Sequence, residues 1–223
     1  MFRLIAALLL ATPVLAVPAA LVTDPPMNTA YPADLMPLLI ASHGANMNGR
    51  IYLAEGKGPH PTMLLLHGFP GNEQNGDVAQ AARRAGWNVI LFHYRGAWGS
   101  QGAFSIHNAI DDTQVVFDWA RDPANAAKYR IDPKRIVIAG HSMGGFMTVQ
   151  TAAHNPGLAG VILIDAWNPA ASAAGLSNPQ AQAAIVAGLA ESMPPISGII
   201  AQGLLAEMAA NAAGWNNEAQ APA

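Results

Sequence analysis

The chain has 223 residues, 52% of them hydrophobic and 11% charged, with a formal net charge of -3. That length and composition suit one domain with a sizeable core and exclude a disordered chain. With 11 basic against 14 acidic residues and no like-charge run, a nucleic-acid partner is excluded; with no cysteine, so are a disulfide, a thiol nucleophile and a lipid-bearing cysteine.

The first segment reads as an export signal over residues 1–16. Arg3 supplies the positive charge, residues 4–11 form a short apolar stretch, and Pro13 breaks it. Val14-Leu15-Ala16 fits a small-residue cleavage site. The apolar stretch is too short to span a bilayer, and no later segment is long and apolar enough. The expectation is an exported chain, periplasmic or secreted, with no stable membrane span once the signal is removed.

Residues 17–37 are rich in Pro and small side chains and read as an extended lead-in without an element. Residues 49–54 alternate weakly and predict a strand near the sheet edge. Residues 56–61 hold two glycines and two prolines and predict a turn. The continuous apolar run at 62–66 fits a strand buried on both faces of a parallel sheet. A helix is expected over 77–85, ending at Gly86, followed by a buried strand over 88–93.

Apolar residues at 106, 109, 110, 116, 117 and 120 give a helix with one buried stripe. Ile131-Asp132-Pro133 turns the chain into a strand over 135–140. A helix over 144–153 is stopped by Asn155-Pro156-Gly157, and residues 161–165 form the last clear strand. Strands alternating with helices imply right-handed crossovers and a parallel sheet covered on both sides. Beyond residue 165 the composition shifts to Ala, Gly, Met and Pro, with short helices expected over 180–191 and 199–213. Residues 17–165 are read as the core, and residues 166–223 as a lid-like helical segment of the same domain.

Gly140-His141-Ser142-Met143-Gly144 stands directly behind the apolar strand. The order is strand, sharp turn, helix, with a serine at the apex. A serine hydroxyl is a weak nucleophile until a base takes its proton, and the turn exposes it. Gly140 and Gly144 sit where strand and helix backbones crowd together. The turn also aims the Met143 N–H at the place where a carbonyl oxygen becomes an oxyanion. His67-Gly68-Phe69-Pro70-Gly71 follows the strand at 62–66, and a Gly-rich loop there lets backbone approach a substrate. The Phe69 N–H is the candidate second oxyanion donor; an ordinary turn with a packing histidine is the alternative.

Three blocks carry a resemblance. They are the His67–Gly71 loop, Tyr94-Arg95-Gly96-Ala97-Trp98-Gly99-Ser100-Gln101-Gly102, and Ile131-Asp132-Pro133-Lys134-Arg135 running into the Ser142 turn and Gly145. Over roughly residues 49–167 the chain resembles the α/β-hydrolase superfamily, especially its exported bacterial serine esterase and prolyl-oligopeptidase-like branch. The resemblance implies a three-layer α/β fold, a mostly parallel sheet with helices on both faces. It implies a serine hydrolase acting on ester, or small peptide or amide, bonds of a small-molecule substrate. The middle block is then one wall of the pocket or a structural Gly-rich loop. No dinucleotide or phosphate fingerprint and no His-x-His or His-x-x-x-His pair occurs, so neither a cofactor nor a metal is expected.

The family order is nucleophile, acid, histidine, with the acid after the strand that follows the lid and the histidine after the last strand. Neither strand is found here. The acids after Ser142 are Asp165, Glu191, Glu207 and Glu218. Asp165 ends the strand after the elbow strand, where some lipases keep their acid; the preferred reading is a polar strand end capping a loop. His154 lies twelve residues past Ser142 on one helix, about 18 Å away and out of reach. His141 reads as a packing residue, while His67, His93 and His107 fall near the pocket as possible substitute bases. The expectation is a C-terminally truncated hydrolase lacking its triad acid and histidine. Residues 161–165 would then be an apolar sheet edge, which is a pairing hazard. The alternative is an inactive hydrolase-fold protein that binds a hydrophobic ligand or a partner.

Overall fold

A computed structural model describes residues 17–176 and 178–220. The export signal expected over residues 1–16 lies outside the described residues. The chain opens with α1 (Ala19–Val22) and a hairpin of β1 (Asp34–Ser42) and β2 (Ala45–Leu53). β3 (His60–Leu66), α2 (Gly76–Arg84) and β4 (Asn88–Phe92) follow. Then come α3 (Ile106–Arg121), α4 (Pro123–Lys128), β5 (Ile131–His141), α5 (Met143–His154) and β6 (Gly160–Ile164). Four helices complete the described chain: α6 (Pro169–Leu176), α7 (Pro179–Ser192), α8 (Ala201–Asn211) and α9 (Asn217–Gln220).

The six strands form one sheet in the order β1-β2-β4-β3-β5-β6. β1, β2 and β4 pair antiparallel, and β4, β3, β5 and β6 run parallel. β1 was not expected, since residues 17–37 read as a lead-in. Pro37 disguises it, yet on an edge strand the missing N–H costs no ladder bond. The hairpin itself has a local cause. His43 and Gly44 both take positive φ, 45° and 80°, the backbone of a two-residue turn whose twist matches the strands.

Side-chain alternation along the inner strands sorts two cores. Leu64, Leu66, Ile90, Phe92, Ile136 and Ile138 face one side and pack with Ala109, Val116 and Phe117 of α3 and Phe146 of α5. Met63, Leu65, Val89, Leu91 and Ala139 face the other and pack with Ala79 of α2. Strands covered on both faces have no polar side to show, which is why they read as continuous apolar runs. The caps are equally local. Ser105 Oγ accepts from Asn108 N at 2.9 Å to start α3, and Asp122 caps α4 ahead of Pro123.

β6 is the far edge of the sheet, and Val161, Ile162 and Leu163 are 43%, 46% and 48% exposed. The C-terminal helices close over the first of the two cores, the one that holds Phe117 and Phe146: Leu204 of α8 and Trp215 belong to it. Ala97 and Ile196 form an isolated bridge that ties this segment to the loop after β4. That loop is anchored from beneath by Asp112, which is fully buried. Asp112 accepts from Ser42 Oγ at 2.6 Å, Arg95 N at 2.8 Å and Arg95 Nε at 2.5 Å. Among the described residues no helix is long and apolar enough to cross a membrane.

Candidate active site

β5 ends and α5 begins at Ser142, whose backbone sits at φ 53° and ψ -117°. A non-glycine residue there is strained, and such strain persists only when the surroundings hold it. Here they do. The Ser142 N–H donates to Ile164 O at 3.1 Å, and its carbonyl accepts from Gly145 N and Trp167 N, both at 2.9 Å. A Cβ at Gly140 would lie 2.1 Å from Gly144 O, and one at Gly144 would lie 2.4 Å from Leu66 O. Strand, turn and helix therefore pack backbone on backbone, leaving the serine at the tip.

The loop at 67–71 lies against that tip. A Cβ on Gly68 would sit 3.0 Å from Ser142 Cβ. The loop is held from three sides: Tyr94 Oη donates to His67 O at 3.1 Å, Trp98 Nε1 donates to Pro70 O at 2.7 Å, and His67 Nδ1 donates to Gly68 O at 2.7 Å. The Met143 N–H opens α5, where no intrahelical acceptor exists. Among the described residues, neither it nor the Phe69 N–H is spent on a protein acceptor. A cavity of about 180 Å³ opens in front of them, lined by Phe69, Met143, Trp167, Leu189, Leu204 and Met208. Ser142 is the one polar side chain in that lining.

His67, His93, His107 and His154 are engaged elsewhere. His67 is buried, and burial pulls its pKa down from 6.5 to about 4. Half-buried His93 is also lowered to about 4, first by burial and then by the Arg50 charge. The two are neutral and bonded to each other, with His93 Nδ1 3.2 Å from His67 Nε2. His107 Nδ1 lies 2.8 Å from Glu207 Oε1. The same carboxylate accepts from the N–H groups of Ile106 and His107, each at 3.0 Å, so Glu207 of α8 caps α3. His154, at the end of α5, donates to Gln150 O at 2.9 Å. His141 Nδ1 is buried with no hydrogen-bond partner among the described residues.

Among the described residues no imidazole or carboxylate hydrogen-bonds the Ser142 hydroxyl. Asp165 follows β6, exposed and at φ 44°, again without a hydrogen-bond or ionic partner among the described residues. The structure thus gathers Ser142, Met143 and Phe69 at one cavity and sets Asp165 just past the strand that braces the elbow. Sequence reasoning missed the cavity lining from Trp167 and the C-terminal helices. Leu189, Leu204 and Met208 stand among small residues with no marked stripe, so no local signal singles them out.

A family model described as the alpha/beta hydrolase fold matches residues 61–194. An uncharacterized protein of Mycobacterium tuberculosis is 26% identical over 133 residues, 59% of this chain and 46% of that protein. A lysophosphatidylserine lipase of Danio rerio is 34% identical over 89 residues, 38% of this chain and 21% of that one. The matched stretches thus span less than half the length of both relatives. Among solved structures, the alpha/beta hydrolase GrgF from a Penicillium species superposes with a TM-score of 0.56 at 18% identity. That match covers 78% of this chain and 62% of GrgF.

Proposed function

The chain belongs to the alpha/beta hydrolase fold family, and from that premise we propose that it is a serine hydrolase cleaving ester, or small peptide or amide, bonds of a small-molecule substrate. Ser142 is the nucleophile, and the Phe69 and Met143 N–H groups are the oxyanion donors. The observation that carries this reading is the braced elbow: a serine at φ 53° with two unspent N–H groups beside it in an apolar cavity. Preorganised donors of that kind act where charge develops in the transition state. The scissile bond to the leaving group breaks as the acyl group moves to Ser142 Oγ, and the hydroxyl proton departs with the leaving group. Water then releases the acyl group. The ester-cleaving relative supports an ester over a peptide bond. The proposal keeps the export reading of residues 1–16, placing the protein in the periplasm or outside the cell.

A second reading is favoured by one observation. No base touches the Ser142 hydroxyl among the described residues, and Asp165 is the acid at hand only in the sense of lying past β6. On that reading the protein is a catalytically inactive hydrolase scaffold that binds a hydrophobic ligand or partner. A fluorophosphonate probe separates the two. Labelling of the wild type that disappears in Ser142→Ala, together with turnover of short p-nitrophenyl esters, supports the hydrolase. No labelling and no turnover supports the binding protein.

A further inference from the structure

A larger cavity, about 730 Å³, lies along the same loop and the same helix as the Ser142 pocket. Phe69 lines the smaller one and Pro70 the larger, and near the end of α7 Leu189 lines the smaller and Glu191 the larger. A molecule lying across the Phe69-Pro70 peptide therefore has one end at Ser142 and the other in the larger space.

The chemistry of that space is narrow. Trp98 lines it, 39% exposed, at φ 50°. Its amide N–H donates to Pro195 O at 2.8 Å, and its indole N–H donates to Pro70 O at 2.7 Å. The ring also rests on His93, with centroids 5.9 Å apart and planes 31° apart. Both donors of Trp98 are spent, so the surface it offers is its aromatic ring. Glu191 is the one charged side chain of the lining, and among the described residues it has no ionic or hydrogen-bond partner. Pro194, Pro195 and Ile196 supply the remaining apolar wall, and Asn72, Ser192 and Ser197 add neutral polar groups. A held aromatic ring, an unpaired carboxylate and apolar walls form the set that recognises an alkylated ammonium, through cation–π attraction and charge.

We infer that the larger cavity binds the leaving-group half of the substrate and that this half carries an alkylated, cationic ammonium. The inference rests on the reading of Ser142 as nucleophile for its placement of the acyl group in the smaller cavity. The ammonium takes no part in bond breaking; it fixes the alcohol half while the acyl group transfers.

The test is a calorimetric titration of the full chain with choline and with its neutral isostere 3,3-dimethylbutanol. The wild type should prefer choline by about tenfold, Trp98→Leu should lose that preference, and Trp98→Phe should keep it within about threefold. Glu191→Gln should weaken choline by about threefold and leave the neutral alcohol unchanged. Equal binding of the two alcohols, or binding of neither, overturns the inference. Choline preference without ester turnover means that the cation site stands and the hydrolase reading fails. Turnover of neutral esters without choline preference means the reverse.

Discussion

His93 donates through Nδ1 to His67 Nε2 across 3.2 Å, and His67 in turn spends its own Nδ1–H on the Gly68 carbonyl at 2.7 Å. Both tautomers follow from the fact that a carbonyl only accepts. This chain of neutral rings ends on the loop that lies against Ser142, so its protonation state bears on the shape of the site.

A pH dependence follows. Burial lowers both imidazoles from 6.5 to about 4 in the folded state. Above pH 6.5 both are neutral in folded and unfolded chains alike, and stability is highest. Between 6.5 and about 4 the unfolded chain takes up protons that the folded chain refuses, so stability falls as pH falls. Each group contributes up to about 1.4 kcal/mol per pH unit in that window. Asp112 acts in the opposite sense, since burial raises its pKa and acid relieves the cost. Urea unfolding at a series of pH values should show the net loss, and His93→Gln should make the decline shallower. A flat profile contradicts the paired neutral rings.

The elbow tolerates no added carbon. Gly140→Ala and Gly144→Ala place a Cβ 2.1 Å and 2.4 Å from backbone atoms that have nowhere to go. Each should cost about 3 kcal/mol or prevent folding. Gly157→Ala is the control: nothing lies within 4 Å of its Cβ, and the expected change is within about 0.5 kcal/mol. Thermal melts read all three.

Removing the Asp112 carboxylate leaves Arg95, which is 8% exposed, with only Asp111 at 3.7 Å and the Asn108 carbonyl at 3.2 Å, and frees the loop that carries Trp98. Asp112→Ala should lose about 3–5 kcal/mol, and Asp112→Asn less because its amide oxygen still accepts. Trp98 accessibility to an acrylamide quencher should rise with it.

Glu207 joins α8 to the start of α3 through three hydrogen bonds. Glu207→Ala leaves two helix N–H groups without their cap, a loss of about 1–2 kcal/mol. Hydrogen exchange should speed up selectively along α8 while the central strands remain protected. Uniform protection would assign the α8 contact to apolar packing alone.

The β6 edge offers Val161, Ile162 and Leu163 to solvent. Natural sheets blunt such edges with charge. Ile162→Lys should raise solubility, measured by light scattering against concentration, with little change in melting temperature.

Much of this molecule was legible in one dimension because its causes are local. β3, β4, β5 and β6 show as apolar runs since each faces a core on both sides or is built as though it did. α3 shows by its 3.6-residue stripe, and the Ser142 turn by a strand, two obligatory glycines and a helix within a dozen residues. β1 did not show, because an edge strand alternates weakly and its Pro37 mimics a linker. What tertiary structure alone decided lies in pairs distant in sequence. His67 meets His93 across 26 residues, Glu207 meets His107 across 100, and Trp98 faces a cavity closed by α7. The elbow places a serine by backbone geometry written in consecutive residues. Which side chains surround it depends on how later helices pack over the sheet, and packing is set by shape and burial summed over the whole chain, with no imprint on any short stretch of it.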